Sequence, residues 1–271
     1  MTPYLAVLGA RFRMMLQYRA AALAGFATQL FWGAIKVMVL AAFYAVAPEA
    51  STLTLAQAVT YVWLGQALLA LQPWSTDAEI AAQIRTGGVA YELLRPLDLY
   101  TMWYARTLAF RAASTSLRMV PMFFFAMVLL PAAGLGDWAL RLPSSSTALA
   151  AFVAAAMLAA LLSAAITMFM HVVLVVAISG EGINRLMPGI VSVFSGLIVP
   201  LPLFPVWLQP LLYWQPFRGL ADAPFRIWSG HVPLAEVPAE LALQVFWVVA
   251  ITLFGRWLLT RAVRRMVVQG G

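Results

Sequence analysis

Apolar residues in this chain gather into six long runs, about 21–46, 57–74, 107–131, 146–178, 186–203 and 237–259, with polar stretches between them. Each run meets or approaches the roughly 20 apolar residues a helix needs to cross the hydrocarbon of a bilayer. Small and large apolar residues are mixed within the runs, without the strict polar/apolar alternation of barrel strands. The pattern therefore predicts an all-α polytopic membrane protein, one domain over 1–271 with six transmembrane helices. The fourth run, about 33 residues, would be roughly 50 Å long as a helix, against a core of roughly 30 Å. It must tilt, break or project beyond the membrane.

Three segments outside the runs have patterns of their own. In residues 1–20, Leu5, Leu8, Phe12, Met15 and Leu16 recur at helical spacing among Arg11, Arg13 and Arg19, which predicts an amphipathic helix lying in the membrane interface. Residues 75–98 hold four of the ten acidic residues, yet keep an apolar stripe of Ile80, Ile84, Val89, Leu93, Leu94 and Leu97. A connector could be far shorter and would need no stripe, so this segment reads as a docking element for a soluble partner. Residues 204–236 are punctuated by Pro205, Pro210, Pro216, Pro224 and Pro233, with Phe204, Trp207, Tyr213, Trp214 and Trp228 between them. Proline ends helices, and aromatic residues favour the membrane interface. The segment is predicted to form two short outer-leaflet helices, roughly 205–214 and 217–229, before the sixth span.

Composition agrees with membrane burial. The chain is 63% hydrophobic and 10% charged, against roughly 25% charged residues in a soluble domain. A net charge of +7 could suggest nucleic acid, but the basic residues lie at span ends rather than on one patch. One set of ends and loops holds Arg11, Arg13, Arg19, Arg85, Arg95, Arg106, Arg111, Arg185, Arg256, Arg261, Arg264 and Arg265, while the other holds Arg141, Arg218 and Arg226. That bias places both termini in the cytoplasm. The absence of cysteine removes disulfides and thiolate metal sites. The first apolar run is too long for a signal peptide, and Ala45-Val-Ala47 is followed at once by Pro48, so no cleavage is expected there.

Two stretches carry a family resemblance. Ile84-Arg-Thr-Gly-Gly-Val-Ala-Tyr-Glu-Leu-Leu-Arg-Pro-Leu97 follows the second run, and Leu203-Phe-Pro-Val-Trp-Leu208 with Gln215-Pro-Phe-Arg218 precedes the sixth. Their sequence, and their order relative to the spans, resemble the type-2 ABC exporter permeases; one departure is Gln215, where relatives often have Asn. The resemblance implies a permease in a bacterial-type inner membrane, paired with a second permease, identical or related, and with a separate ABC ATPase that carries ATP and Mg. This chain should bind no cofactor itself. Its only lysine is Lys36, inside a span, and Ser179-Gly-Glu-Gly182 lacks the basic residue of a phosphate-cradling loop. By the same resemblance Ile84, Arg85, Gly87, Gly88, Glu92, Arg95 and Pro96 would couple to the ATPase, with Glu92 and Arg95 setting charge complementarity. Pro205, Trp207, Pro216 and Arg218 would form an outer gate.

Other residues admit two readings. Lys36, Arg118 and His171 are ionisable residues within spans and are the candidates for a substrate path. Lys36 also fits snorkelling or pairing with an acid, Arg118 snorkelling, and His171 a hydrogen-bonded interior position. Glu181–Arg185 and Arg218–Asp222 stand at i, i+4, which fits local helix pairs as well as ATPase contact and gating. Gly189, Ser192 and Gly196 suit close approach to a second permease, as does Ala21-x3-Gly25. No carboxylate is read inside a span and no metal-ligand spacing is found. An ion-driven transporter would want midplane carboxylates or inverted repeats, and a membrane enzyme clustered catalytic groups; neither pattern is read here.

Overall fold

The computed structural model describes residues 3–46, 52–177 and 181–264. Ala47 and Pro48 of the cleavage-like site, Ser179 and Gly180 of the glycine-rich stretch, and Arg265 lie outside them. The described residues form helices α1 (Pro3–Met15), α2 (Arg19–Val46), α3 (Leu55–Ala67), α4 (Ala78–Arg85), α5 (Val89–Leu93) and α6 (Leu99–Ala132). After these come α7 (Ser146–Ala177), α8 (Glu181–Phe194), α9 (Gln209–Trp214), α10 (Asp222–Trp228) and α11 (Val237–Val263). No strand occurs among the described residues.

Four helices, α2, α6, α7 and α11, are long and apolar enough to cross a membrane, and they mark the chain as a membrane protein. The other two predicted spans are not single long helices. The second run ends as a helix at Ala67, continues as a 3-10 turn over Leu69–Leu71, and is extended by Gln72. The fifth breaks after Phe194, where Gly196 takes φ +87°. The third span begins earlier than its apolar run, because Asp98 caps it by accepting from the Thr101 amide at 2.9 Å. The long fourth run is one unbroken helix of 32 residues.

α3 runs through the core of the bundle. Ten consecutive residues, Ala58–Ala67, are buried against α2, α6 and α10. A Thr54–Gln57 capping box starts this helix. Trp63 and Tyr61 fill the core with Phe225, Met122 and Phe152. Gly33 of α2 admits this packing, since a Cβ there would lie 2.6 Å from the Trp63 ring. α11 packs along α7.

α1 and the start of α2 follow α6 in the same direction. Tyr4 Oη accepts from the Asp98 amide at 3.0 Å, Arg11 and Arg106 share Glu79, and Gly25 makes room for the Arg118 guanidinium. Toward its far end α6 holds Pro121 and a π turn at Phe125–Leu129. Proline removes a ladder hydrogen bond and clashes with the preceding turn, and π turns accommodate such irregularities.

Candidate functional site

The segment 75–98 folds into two short helices joined at Gly87, which has φ +74°. Asp77 caps α4 through the amides of Glu79 and Ile80, at 2.8 and 3.1 Å. Gly87 lies in the left-handed region, where a side chain would be strained; Gly88 is in an ordinary right-handed conformation. Pro96 falls between α5 and α6, and Leu97 and Asp98 lead into the latter.

The stripe expected to contact a partner is divided. Ile80 and Val89 are fully buried with Trp103, Met168, Val172 and Leu259, and Ile84 and Leu97 pack against the same cluster. Leu93 and Leu94 point outward, joined by Tyr91, which is no part of the stripe; Tyr91 is 77% exposed and Leu94 82%. Arg95 and Arg85 are both exposed, and the Arg85 Nε donates to the Ala81 carbonyl at 3.3 Å.

Glu92 does not join the exposed tip. It is buried, accepts from Trp103 Nε1 at 2.5 Å and pairs with Arg106 at 3.4 Å. Arg106 reaches on to Glu79 at 2.7 Å, and Glu79 also receives Arg11 of α1. One buried guanidinium thus ties α1, α4, α5 and α6 together. The Arg11 hydrogen bond holds the Glu79 carboxyl below the usual carboxylate range. Sequence spacing could not reveal this, because Glu92 and Arg106 are 14 residues apart on different helices.

Behind this network is a cavity of about 320 Å³ whose walls include Asp77, Thr107, Arg111 and Thr167. His171 borders the same region: its Nε2 accepts from the Asp77 amide at 2.8 Å, so the proton is assigned to Nδ1. Lys36 and Arg118 are elsewhere, and the three predicted path residues do not share one chamber. Lys36 Nζ donates to the Leu197 carbonyl at 2.8 Å, just past the broken end of α8. Backbone carbonyls beyond a helix end need a partner at membrane depth, and this lysine provides one.

A second charged cluster ties the proline-punctuated segment to the bundle. Arg218 is buried, paired with Asp222 at 3.2 Å and Glu240 at 2.5 Å, and stacked over the Tyr213 ring at 4.5 Å. Asp222, 0% exposed, also receives Tyr61 Oη of α3 at 3.2 Å and Arg226 at 3.4 Å. Glu240 corrects the reading that no span holds a carboxylate: it lies in the first turn of α11. A cavity of about 430 Å³ opens beside Arg218, Asp222 and Arg226. Of the other predicted gate residues, Pro205 and Trp207 are exposed, and Pro216 begins the 3-10 turn that carries Arg218.

The three candidate interface residues face different ways. Gly189 borders open space on the same side of α8 as exposed Leu186 and Val193. Ser192 is half-buried, and Gly196 is buried against Tyr61 within the chain. Glu181 and Arg185 form an exposed pair at 3.1 Å. No group of three or more His, Cys, Asp or Glu that could hold a metal occurs among the described residues. In comparisons with known proteins the chain matches no family model, no curated protein and no solved structure.

Proposed function

We propose that this chain is the permease subunit of a type-2 ABC exporter, moving an amphipathic or lipid-like substrate with energy from ATP hydrolysed by a separate chain. The observation that carries the proposal is the segment 75–98: an apolar tip of Tyr91, Leu93 and Leu94, held out on a base fixed by Glu92 and Arg106. Large exposed apolar side chains on an anchored support are what a soluble partner can grip. Gly87 and the Arg95-Pro96 pair lie in the stretch that resembles the family's coupling segment.

On this reading α3 with its 3-10 turn, and α8 with residues 195–203, act as two shorter crossings beside the four long spans. α1 serves as the cytoplasmic interface helix. α9 and α10 close the outer side, with Arg218, Asp222 and Glu240 as the bond set that a gate would break. The outward face of α8, with Leu186, Gly189 and Val193, and the exposed Phe31, Trp32, Met38 and Val39 of α2 supply apolar surface for a second permease. Both termini are cytoplasmic in a bacterial-type inner membrane, and ATP and Mg belong to the partner.

The test is co-purification with a co-expressed Walker-motif ATPase, comparing wild type with Leu94→Glu and with Glu92→Gln. Wild type should retain the ATPase, and Leu94→Glu should release it at an unchanged melting temperature. If wild type retains no ATPase, the exporter reading fails and a stand-alone transporter replaces it.

A further inference from the structure

Arg111 is 5% exposed in the middle of α6, and no carboxylate lies within 4 Å of it among the described residues. Its Nη2 makes only two long hydrogen bonds, to Thr167 Oγ1 at 3.3 Å and the Ser75 carbonyl at 3.4 Å. Its Nε has no partner, nor does Thr107 Oγ1 one turn earlier. A buried guanidinium left this way is expensive, and buried charges are normally paired. Asp77 lines the same cavity and forms no ion pair among the described residues; one carboxylate oxygen caps α4, while the other makes no hydrogen bond. The nearby Arg11, Arg106, Glu79 and Glu92 neutralise one another. The cavity therefore presents a cation, stacked near the Phe110 ring, and an anion that attract each other without closing an ion pair within 4 Å.

Its position and remaining walls narrow the ligand further. Counted back from Ala132, roughly 20 residues of hydrocarbon end near residue 112, which puts Arg111 at the head-group level on the side of α1 and α4. Met15 and Phe110 form the apolar flank of the cavity, and Phe110 is exposed on the outside of α6. The volume of about 320 Å³ falls in the range of small-molecule pockets, roughly 300–1,000 Å³.

We propose that this cavity binds the zwitterionic head group of a phosphoethanolamine lipid, its phosphate on Arg111 and Thr107, its ammonium on Asp77, and its acyl chains leaving past Phe110 and Met15. Guanidinium groups suit phosphate oxygens, and a primary ammonium can donate to the free Asp77 oxygen where a quaternary one cannot. The site is distinct from the exporter reading and stands without it.

The full chain, purified in non-ionic detergent and stripped of lipid, is titrated in native mass spectrometry. The probes are palmitoyl-oleoyl phosphatidylethanolamine, its phosphatidylglycerol and phosphatidylcholine counterparts, and inorganic phosphate. Phosphatidylethanolamine should be retained preferentially. Arg111→Gln should weaken its retention about tenfold or more, the scale of one charge-assisted contact. Asp77→Asn should abolish the preference over phosphatidylglycerol; since Asn caps a helix as well as Asp, this variant decides the matter even if Arg111→Gln does not fold. Equal retention by wild type and Asp77→Asn, a wild-type preference for phosphatidylglycerol or phosphatidylcholine, or displacement by inorganic phosphate alone would each overturn the assignment.

Discussion

Gly196 has little freedom to change. Its φ of +87° belongs to the left-handed region, and a Cβ there would lie 2.2 Å from Tyr61 Oη. Gly196→Ala should cost about 1–3 kcal/mol and lower the melting temperature in detergent; an unchanged value would mean that the turn after α8 relaxes freely. Glu92 should behave differently from its exposed neighbours. Replacing it with Ala leaves Arg106 short of a buried partner and Trp103 Nε1 without an acceptor, a loss of about 3–5 kcal/mol for a broken buried pair, whereas Leu94→Glu should leave stability unchanged. Glu79 adds a dependence on pH. Its folded pKa is depressed by Arg11, so the tie between α1 and α4 is complete above the unfolded carboxylate value of about 4.3 and is lost as pH falls through the lower folded value. Protection of the α1 amides, taken as the exchange rate relative to the intrinsic rate at each pH, should be flat from pH 8 to 5 and fall only in stronger acid. A loss of protection near pH 6.5 would point to a histidine and exclude this pair.

At the scale of elements, helices declared by their own residues were legible and contacts between helices were not. The apolar runs of α2, α7 and α11 are long, continuous and hydrophobic whatever they pack against, so periodicity found them. α3 and α8 were overextended because apolar character continues past Ala67 and Phe194 while the backbone does not; the breaks come from local geometry at Leu68 and Gly196. The stripe in 75–98 was recognised, but a stripe can turn toward a partner or toward its own protein. Ile80 and Val89 turn inward because α6 and α7 present Trp103, Met168 and Val172 to them, and no local spacing encodes that choice. In the sequence Arg111 is one of the basic residues at a span end, and nothing local shows that Ser75 and Thr167 of α7 enclose it. The π turn of α6 yields a prediction of its own: Pro121→Ala should restore an ordinary ladder and slow exchange of the amides at 125–129, and unchanged exchange would detach the bulge from the proline.

Across the whole molecule, charge joins pieces that hydrophobicity alone would leave free to slide. Arg218 connects the outer segment to α11 through Glu240 and, by way of Asp222, to Tyr61 of α3. Glu240→Gln should keep the hydrogen bond in shape but remove its charge, lowering the melting temperature while Tyr61→Phe acts less. If Arg218→Met combined with Glu240→Leu restores wild-type stability, the pair is retained for something other than stability. The two clusters, around Arg106 and Arg218, each engage two carboxylates; the Arg218–Asp222 pair shows in the sequence as an i, i+4 spacing, whereas Glu240, Glu79 and Glu92 join only through the packing of separate helices. The parallel run of α1 beside α6 carries a consequence for biosynthesis. Tyr4 meets Asp98 across 94 positions, so α1 leaves the ribosome roughly 5–20 s before its partner at ordinary translation speed. For most of that interval, until residue 79 has also emerged, Arg11 has no Glu79 to hold it. α1 is therefore made well before it is seated, and a nascent chain arrested before residue 98 should carry α1 open to protease.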